Sequence, residues 1–265
     1  MRLLLGCLLL ASPLWSAEPY FVEHFDDTKL LDRGWYDGEQ FVLGGEPWSG
    51  AGCIAFHWRD GDTKPEYSQG ARHPIPPTDT VYVRFYQKLS AGWAWTGQTY
   101  HPHLMLLMTT ANGAWDGPAA THLTTYIEPV GGRLRLAAQD IQNQDAPHGL
   151  TQGELRGGYN GQLYDSADKL FADDQWHLVE AMFRLNSVDQ AAGTWRQDGQ
   201  LRAWFDGKLV VERTDVVFRS VDFPDMKFNQ FLLLPYFGDG LLPHAQTLWI
   251  DELAVGPERL GPTAR

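Results

Sequence analysis

Residues 98–110 read QTYHPHLMLLMTT, which places two histidines two positions apart at the head of an apolar run. In a strand, residues i and i+2 project from one face, so His101 and His103 are spaced to act together. Three uses suit that spacing. His-x-His is a common metal-ligand pair, and His122, at the head of the next apolar segment, would supply a third nitrogen. Two imidazoles can equally move protons near neutral pH or hold an anionic group. Pro102 between them also marks a strand edge or a bulge, which gives the pair a structural use. If a bulge turns only one ring into a site, that ring is His103, the one nearer the regular strand.

The elements that must position these residues are short. Alternating or apolar runs occur at 21–25, 53–58, 81–89, 103–110, 122–129, 133–140, 176–186, 201–206, 208–214, 229–237 and 247–255. Asp-Gly, which suits tight reversals between strands, occurs six times. Only 164–174, YDSADKLFADD, has the makings of a helical turn. Many short strands with turn signals between them predict an all-β sandwich or barrel. No repeat or linker interrupts the pattern, so one domain is expected from 18 to 265.

Alternation also sorts the faces. Val81, Val83 and Phe85 oppose Tyr82, Arg84, Tyr86 and Lys88; Leu123, Thr125 and Ile127 oppose His122, Thr124, Tyr126 and Glu128. Leu134, Leu136 and Ala138 oppose Arg133, Arg135 and Gln139, while Val179, Ala181 and Phe183 oppose Glu180 and Arg184. Each strand has a core face and a second face rich in Tyr, Arg, His, Gln and Glu. Such polar-aromatic faces suit a binding groove laid across a sheet; a solvated sheet face is the plainer alternative.

Composition narrows the partners. With 33 acidic and 21 basic side chains the net charge is −12, which argues against nucleic acid and anionic membrane. Eleven Trp and ten Tyr supply rings that stack on sugars or fill a β core. The opening MRLLLGCLLLASPLWSA has one basic residue, a short apolar stretch and small residues at its end. It reads as a secretory signal over 1–17, too short to span a bilayer, and implies a secreted or periplasmic protein. Beyond it only Cys53 remains, a small buried hydrophobe in AGCIAF, so stability rests on the core.

In element order the chain resembles the concanavalin A-like lectin/glucanase jelly roll, as found in several polysaccharide lyases and laminarin-type glucanases. FVEHFDD, VYVRFYQKL, WHLVEAMFRLN, DGQLRAWFDGKLV, FLLLPYFGDG and TLWIDELAVG carry the resemblance, over roughly 21–256. It implies a jelly-roll β-sandwich of two antiparallel sheets with a glycan groove on the concave one. The related retaining glucanases place two glutamates around an aspartate on one strand, with about 5–5.5 Å between nucleophile and acid. No such run occurs here; WIDEL puts Asp251 and Glu252 on opposite faces.

The other chemistry on such a sheet is β-elimination from a uronic acid. It needs a group to neutralise the substrate carboxylate, a base for the C5 proton and an acid for the leaving oxygen. The resemblance implies a Tyr/His/Gln/Arg set, and the expected catalytic residues are Arg84 and Gln139 on the carboxylate with His103 and Tyr126 on the protons. His101, His122, Arg135 and Arg184 would bind substrate. Trp93 and Trp95, in a loop before the histidines, would be stacking platforms or a buried lid. Tyr159, in the loop 140–172, would cover the groove, and Tyr236 resembles the Tyr that ends a late strand in some lyases. The resemblance also places a structural Ca²⁺ at Glu23 and Asp251, with hard oxygen ligands; no organic cofactor is expected. The expected function is a monomeric polysaccharide lyase acting on a uronic-acid polymer. The alternative is a non-catalytic, lectin-like glycan-binding module.

Overall fold

Alternating apolar residues give two antiparallel sheets packed face to face. A computed structural model describes residues 17–36, 38, 40–66, 70–95, 105–108, 124–139, 162–219, 221, 224–233 and 242–263, with backbone alone at 105–108, 124 and 139. In chain order the strands are β1 (Phe21–Glu23), β2 (Ile54–Trp58), β3 (Ala71–Thr78), β4 (Thr80–Leu89), β5 (Met105–Met108), β6 (Thr124–Val130), β7 (Arg133–Gln139) and β8 (Gln162–Asp165). They continue with β9 (Trp176–Arg184), β10 (Val188–Asp189), β11 (Thr194–Trp195), β12 (Gly199–Phe205), β13 (Lys208–Val216), β14 (Phe228–Leu233) and β15 (Gln246–Gly256). Among the described residues the one helical element is a 3₁₀ turn, Leu30–Arg33. No helix there is long and apolar enough to cross a membrane.

One sheet has seven strands in the order β1-β15-β4-β9-β12-β13, with β2 also paired to β15. The other has six, in the order β3-β14-β5-β6-β7-β8. Phe56, Phe85, Phe183 and Ile250 from the first sheet meet Ile127, Leu136, Phe231 and Leu233 from the second in one core. The inward residues are those that alternation assigns: Val81, Val83 and Phe85 are buried, as are Val179, Ala181 and Phe183.

Two strands depart from the sequence pattern. β3 is ARHPIPPT, whose prolines speak against a strand. It survives because it is an edge strand, where a missing N–H costs no ladder bond. β8 lies inside the stretch read as loop or helical turn; it is the opposite edge of the same sheet, only four residues long.

Candidate functional site

The 3₁₀ turn Leu30–Arg33 and the three residues after it build one end of the site. Gly34 ends the 3₁₀ turn at φ 92°, a conformation that costs glycine nothing. The next residue, Trp35, drops into the core at 3% exposure, and its indole N–H donates to Glu23 Oε2 at 3.1 Å. Tyr36 then pairs its backbone with Arg72 of β3 in both directions, at 2.8 Å each. Its ring comes under the Arg72 guanidinium, 5.2 Å from the centroid, a cation–π geometry. The Tyr36 hydroxyl donates to Gln230 Oε1 at 2.9 Å, and Arg72 Nη1 lies 3.5 Å from the same oxygen. With Oε1 so engaged, the Gln230 amide is oriented and its NH₂ faces away from Arg72 and Tyr36.

Tyr36, Arg72 and Gln230 are on the second face of the six-stranded sheet, away from the core. On β14 a register shift between Phe228 and Gln230 turns Phe228, Phe231 and Leu233 inward and Gln230 and Leu232 outward. The outward row continues through the backbone pairs Leu232↔Leu106, Leu106↔Tyr126 and Tyr126↔Ala137. Tyr126, Ala137 and Leu232 form a small cluster of their own, separate from the main core. This face is not a solvated one: Arg72 is 3%, Tyr126 4% and Gln230 6% exposed. Buried Arg72, Gln230 and Tyr126 and half-buried Tyr36 therefore share a polar-aromatic face.

The next row holds Glu128, Arg135 and Asp165, in register across β6, β7 and β8. Arg135 grips Asp165 through two bonds, Nε–Oδ1 at 2.5 Å and Nη2–Oδ2 at 2.9 Å. Glu128 is fully buried, and burial pushes its carboxyl well above the ordinary range; Arg135 opposes that shift and Asp165 adds to it. The environment thus favours a neutral acid at Glu128.

Of the expected site residues, the structure brings Tyr126 and Arg135 onto this face. Gln139 joins them by backbone register, paired with Thr124. His101, His103, His122, Tyr159 and Tyr236 lie outside the described residues. Arg84 and Arg184 do not belong here. Both are on the seven-stranded sheet, on β4 and β9, and project from its far side. Arg84 Nε and Nη2 donate to the Glu252 carbonyl at 3.3 and 3.2 Å, and Arg184 reaches the Asp198 carbonyl. Trp93 is no stacking platform: it is 5% exposed and packs edge-on against Trp58 in the core, with Trp95 edge-on behind it.

The far side of the seven-stranded sheet is occupied by the protein itself. The C-terminal tail crosses it: Arg259 clasps the buried Glu180 at 3.1 and 2.6 Å and covers the Trp204 ring, and the Gly261 N–H donates to Glu180. The Thr263 N–H donates to the Tyr86 hydroxyl, and Trp48 stacks on Tyr86 at 4.1 Å.

The carboxylates of Glu23 and Asp251 do not fit a calcium site. Both Glu23 oxygens accept from Arg33, and one each from Phe25 N and Trp35 Nε1. Asp251 Oδ2 accepts from the backbones of Trp48 and Ser49, and Oδ1 from Glu252. All four oxygens face N–H groups, where a cation needs open lone pairs. Among the described residues no group of three His, Cys, Asp or Glu is arranged to hold a metal.

Asp251 carries a testable pH signature. Burial pushes its carboxyl up to about 6, against the pull of the three backbone N–H groups. A folded-state pKa above the unfolded value means that the folded chain binds the extra proton. Its contribution to stability is therefore present at low pH and lost as pH rises from about 4 to about 6. The melting-temperature advantage of the wild type over Asp251→Asn should be larger at about pH 4.5 than at about pH 7; thermal denaturation of the two proteins side by side checks this.

No family model and no curated protein matches this sequence. Solved structures do match the fold. The endo-β-1,4-glucuronan lyase of the fungus Trichoderma reesei is 17% identical, with 91% of this chain and 96% of that one aligned at a TM-score of 0.59. An alginate lyase from a Chlorella virus is 14% identical, over 88% and 98% of the chains, at 0.63. An alginate lyase solved in complex with an alginate tetrasaccharide is 10% identical, over 93% and 100%, at 0.57. The fold is a jelly-roll β-sandwich of two antiparallel sheets. At these identities the likeness speaks for the fold, and the chemistry rests on the residues.

Arg72, Gln230 and Tyr36 were not among the residues picked from the sequence. A signal existed for one of them: Gln230, next to Asn229, is one of two amides set in the apolar run FNQFLLL. Arg72 lies in the proline-broken β3, and Tyr36 gains its place only through the bridge to Arg72.

Proposed function

We propose that this chain is a secreted polysaccharide lyase that cleaves a uronic-acid-containing polymer by β-elimination on the second face of its six-stranded sheet. The observation that carries the proposal is the gathering of buried Arg72, Gln230 and Tyr126 and half-buried Tyr36 on one polar face. Gln230 is two strand spacings from β6, about 10 Å, a gap that a sugar ring and two long side chains fill. The matching structures are named as lyases of glucuronan and alginate, both polyuronates, which supports the same substrate class here.

In the proposed reaction Arg72 and the Gln230 amide take the uronate carboxylate. Withdrawal of its charge acidifies the C5 proton and stabilises the enediolate that forms when that proton leaves. Tyr126 exchanges protons at the reacting carbons, with His103 as its expected partner. The electron pair of the C5–H bond becomes the C4=C5 double bond, the C4–O bond breaks, and the leaving oxygen takes a proton. The product carries an unsaturated uronate at its new non-reducing end.

The test is the ultraviolet absorbance of that conjugated double bond during incubation with alginate, glucuronan, hyaluronan, heparin, pectate and ulvan. A rise on at least one polymer is expected. A flat trace on all six, with binding retained, would move the function to the lectin-like alternative. On the polymer that reacts, Arg72→Lys is expected to lower turnover roughly tenfold, because an ammonium cannot reproduce the planar guanidinium over Tyr36. An unchanged rate would remove Arg72 from the mechanism.

A further inference from the structure

At one end of the sandwich the β10–β11 hairpin stands between the close of β9 and the start of β12. The hairpin and the segment leading into β14 together line a cavity of about 460 Å³. That is within the size range of small-molecule sites. Half-buried Trp195 contributes the aromatic wall, and Ser187, Asp189, Gln190, Arg196 and Asp225 contribute the polar one. None of these residues belongs to the six-stranded sheet.

The wall is partly set in advance. Asp198 accepts from the Ser187 N–H at 2.7 Å and from its hydroxyl at 2.8 Å. Asp189 Oδ1 accepts the Ala192 N–H at 3.0 Å, which closes the hairpin turn. Groups held in this way lose little freedom when a ligand arrives. An indole beside carboxylates, an amide and a guanidinium is the chemistry that recognises a pyranose: apolar C–H groups against the ring, and hydroxyls shared among acceptors and donors. Two carboxylates against one guanidinium disfavour an anionic sugar.

We infer that this cavity is a second carbohydrate site that takes one neutral pyranose residue, apart from the uronate groove. It would hold a polymer that carries neutral sugars while the groove works on its acidic ones. The inference stands on the cavity alone and does not need the lyase reading.

Saturation-transfer NMR on the full chain tests it, with D-glucose, D-mannose, D-galactose and D-xylose as probes and D-glucuronate as the charged control. Transfer to at least one neutral sugar is expected, with affinity about tenfold or more weaker in Trp195→Ala. Asp225→Ala should weaken it as well, and Tyr126→Phe should leave it unchanged. Asp225 is exposed, so its variant decides the matter if Trp195→Ala does not fold. Absence of transfer to every neutral probe, transfer that survives both cavity variants, or a glucuronate signal that depends on Trp195 would overturn the inference.

Discussion

Tyr126→Phe is expected to lower turnover on the reactive polyuronate by about 10²–10⁴-fold, the range for loss of a positioned proton-transfer group. The variant removes one oxygen and leaves the ring. That ring packs with Ala137 and Leu232, so the face keeps its shape. Loss of a single hydrogen-bonding hydroxyl costs about 1 kcal/mol, or a few degrees in a domain of this size. Polymer binding should persist, because Arg72, Gln230 and Tyr36 remain in place. The expected pattern is a collapse of kcat with little change in KM, read from the initial rate of ultraviolet absorbance and paired with a melting curve. A Phe variant that turns over at the wild-type rate would show that the Tyr126 hydroxyl takes no part in the chemistry.

The inward and outward faces of the strands were legible in the sequence; the sheet to which each strand belongs was not. Arg84 and Tyr126 illustrate the limit. Each alternates with core residues on its own strand, and each faces outward. Yet β4 is central in the seven-stranded sheet and β6 in the six-stranded one, so the two side chains point to opposite sides of the molecule. Alternation has a period of two residues and carries no information about which strands pair. That information lies in long-range contacts such as Leu232↔Leu106 and Leu106↔Tyr126, between residues far apart in sequence.

The same limit explains the two faces' different fates. Glu180 and Arg84 read from the sequence as groove residues no less than Glu128 and Arg135 do. In the fold, Glu180 is consumed by Arg259 and Gly261 of the returning tail, and Arg84 by the Glu252 carbonyl. A tail of mixed polar residues announces no such docking. Short edge strands are hidden for a different reason. β3 holds Arg72 on a backbone that propensity rejects, and the edge position makes its prolines harmless.

Glu23→Gln is expected to destabilise the fold by about 2–4 kcal/mol, through a buried charged network that loses one member. Glu23 is 2% exposed, and four N–H donors converge on it, two of them from the Arg33 guanidinium at 2.9 and 3.0 Å. Gln offers one acceptor in place of two and turns an NH₂ toward a cation. Arg33 is partly exposed and keeps its bond to Asp27, so the loss falls short of that for a fully desolvated pair. In a domain of this size the melting temperature should drop by roughly 5–15 °C. The drop should be the same in excess calcium and in EDTA, because the Glu23 oxygens already face nitrogen donors; a loss confined to the calcium condition would mean that Glu23 binds the ion after all. The substitution also reaches the proposed groove. Glu23 anchors Trp35, Trp35 sets Tyr36, and Tyr36 orients Gln230. Well below its melting temperature, Glu23→Gln should therefore raise KM more than it lowers kcat, the reverse of the pattern for Tyr126→Phe.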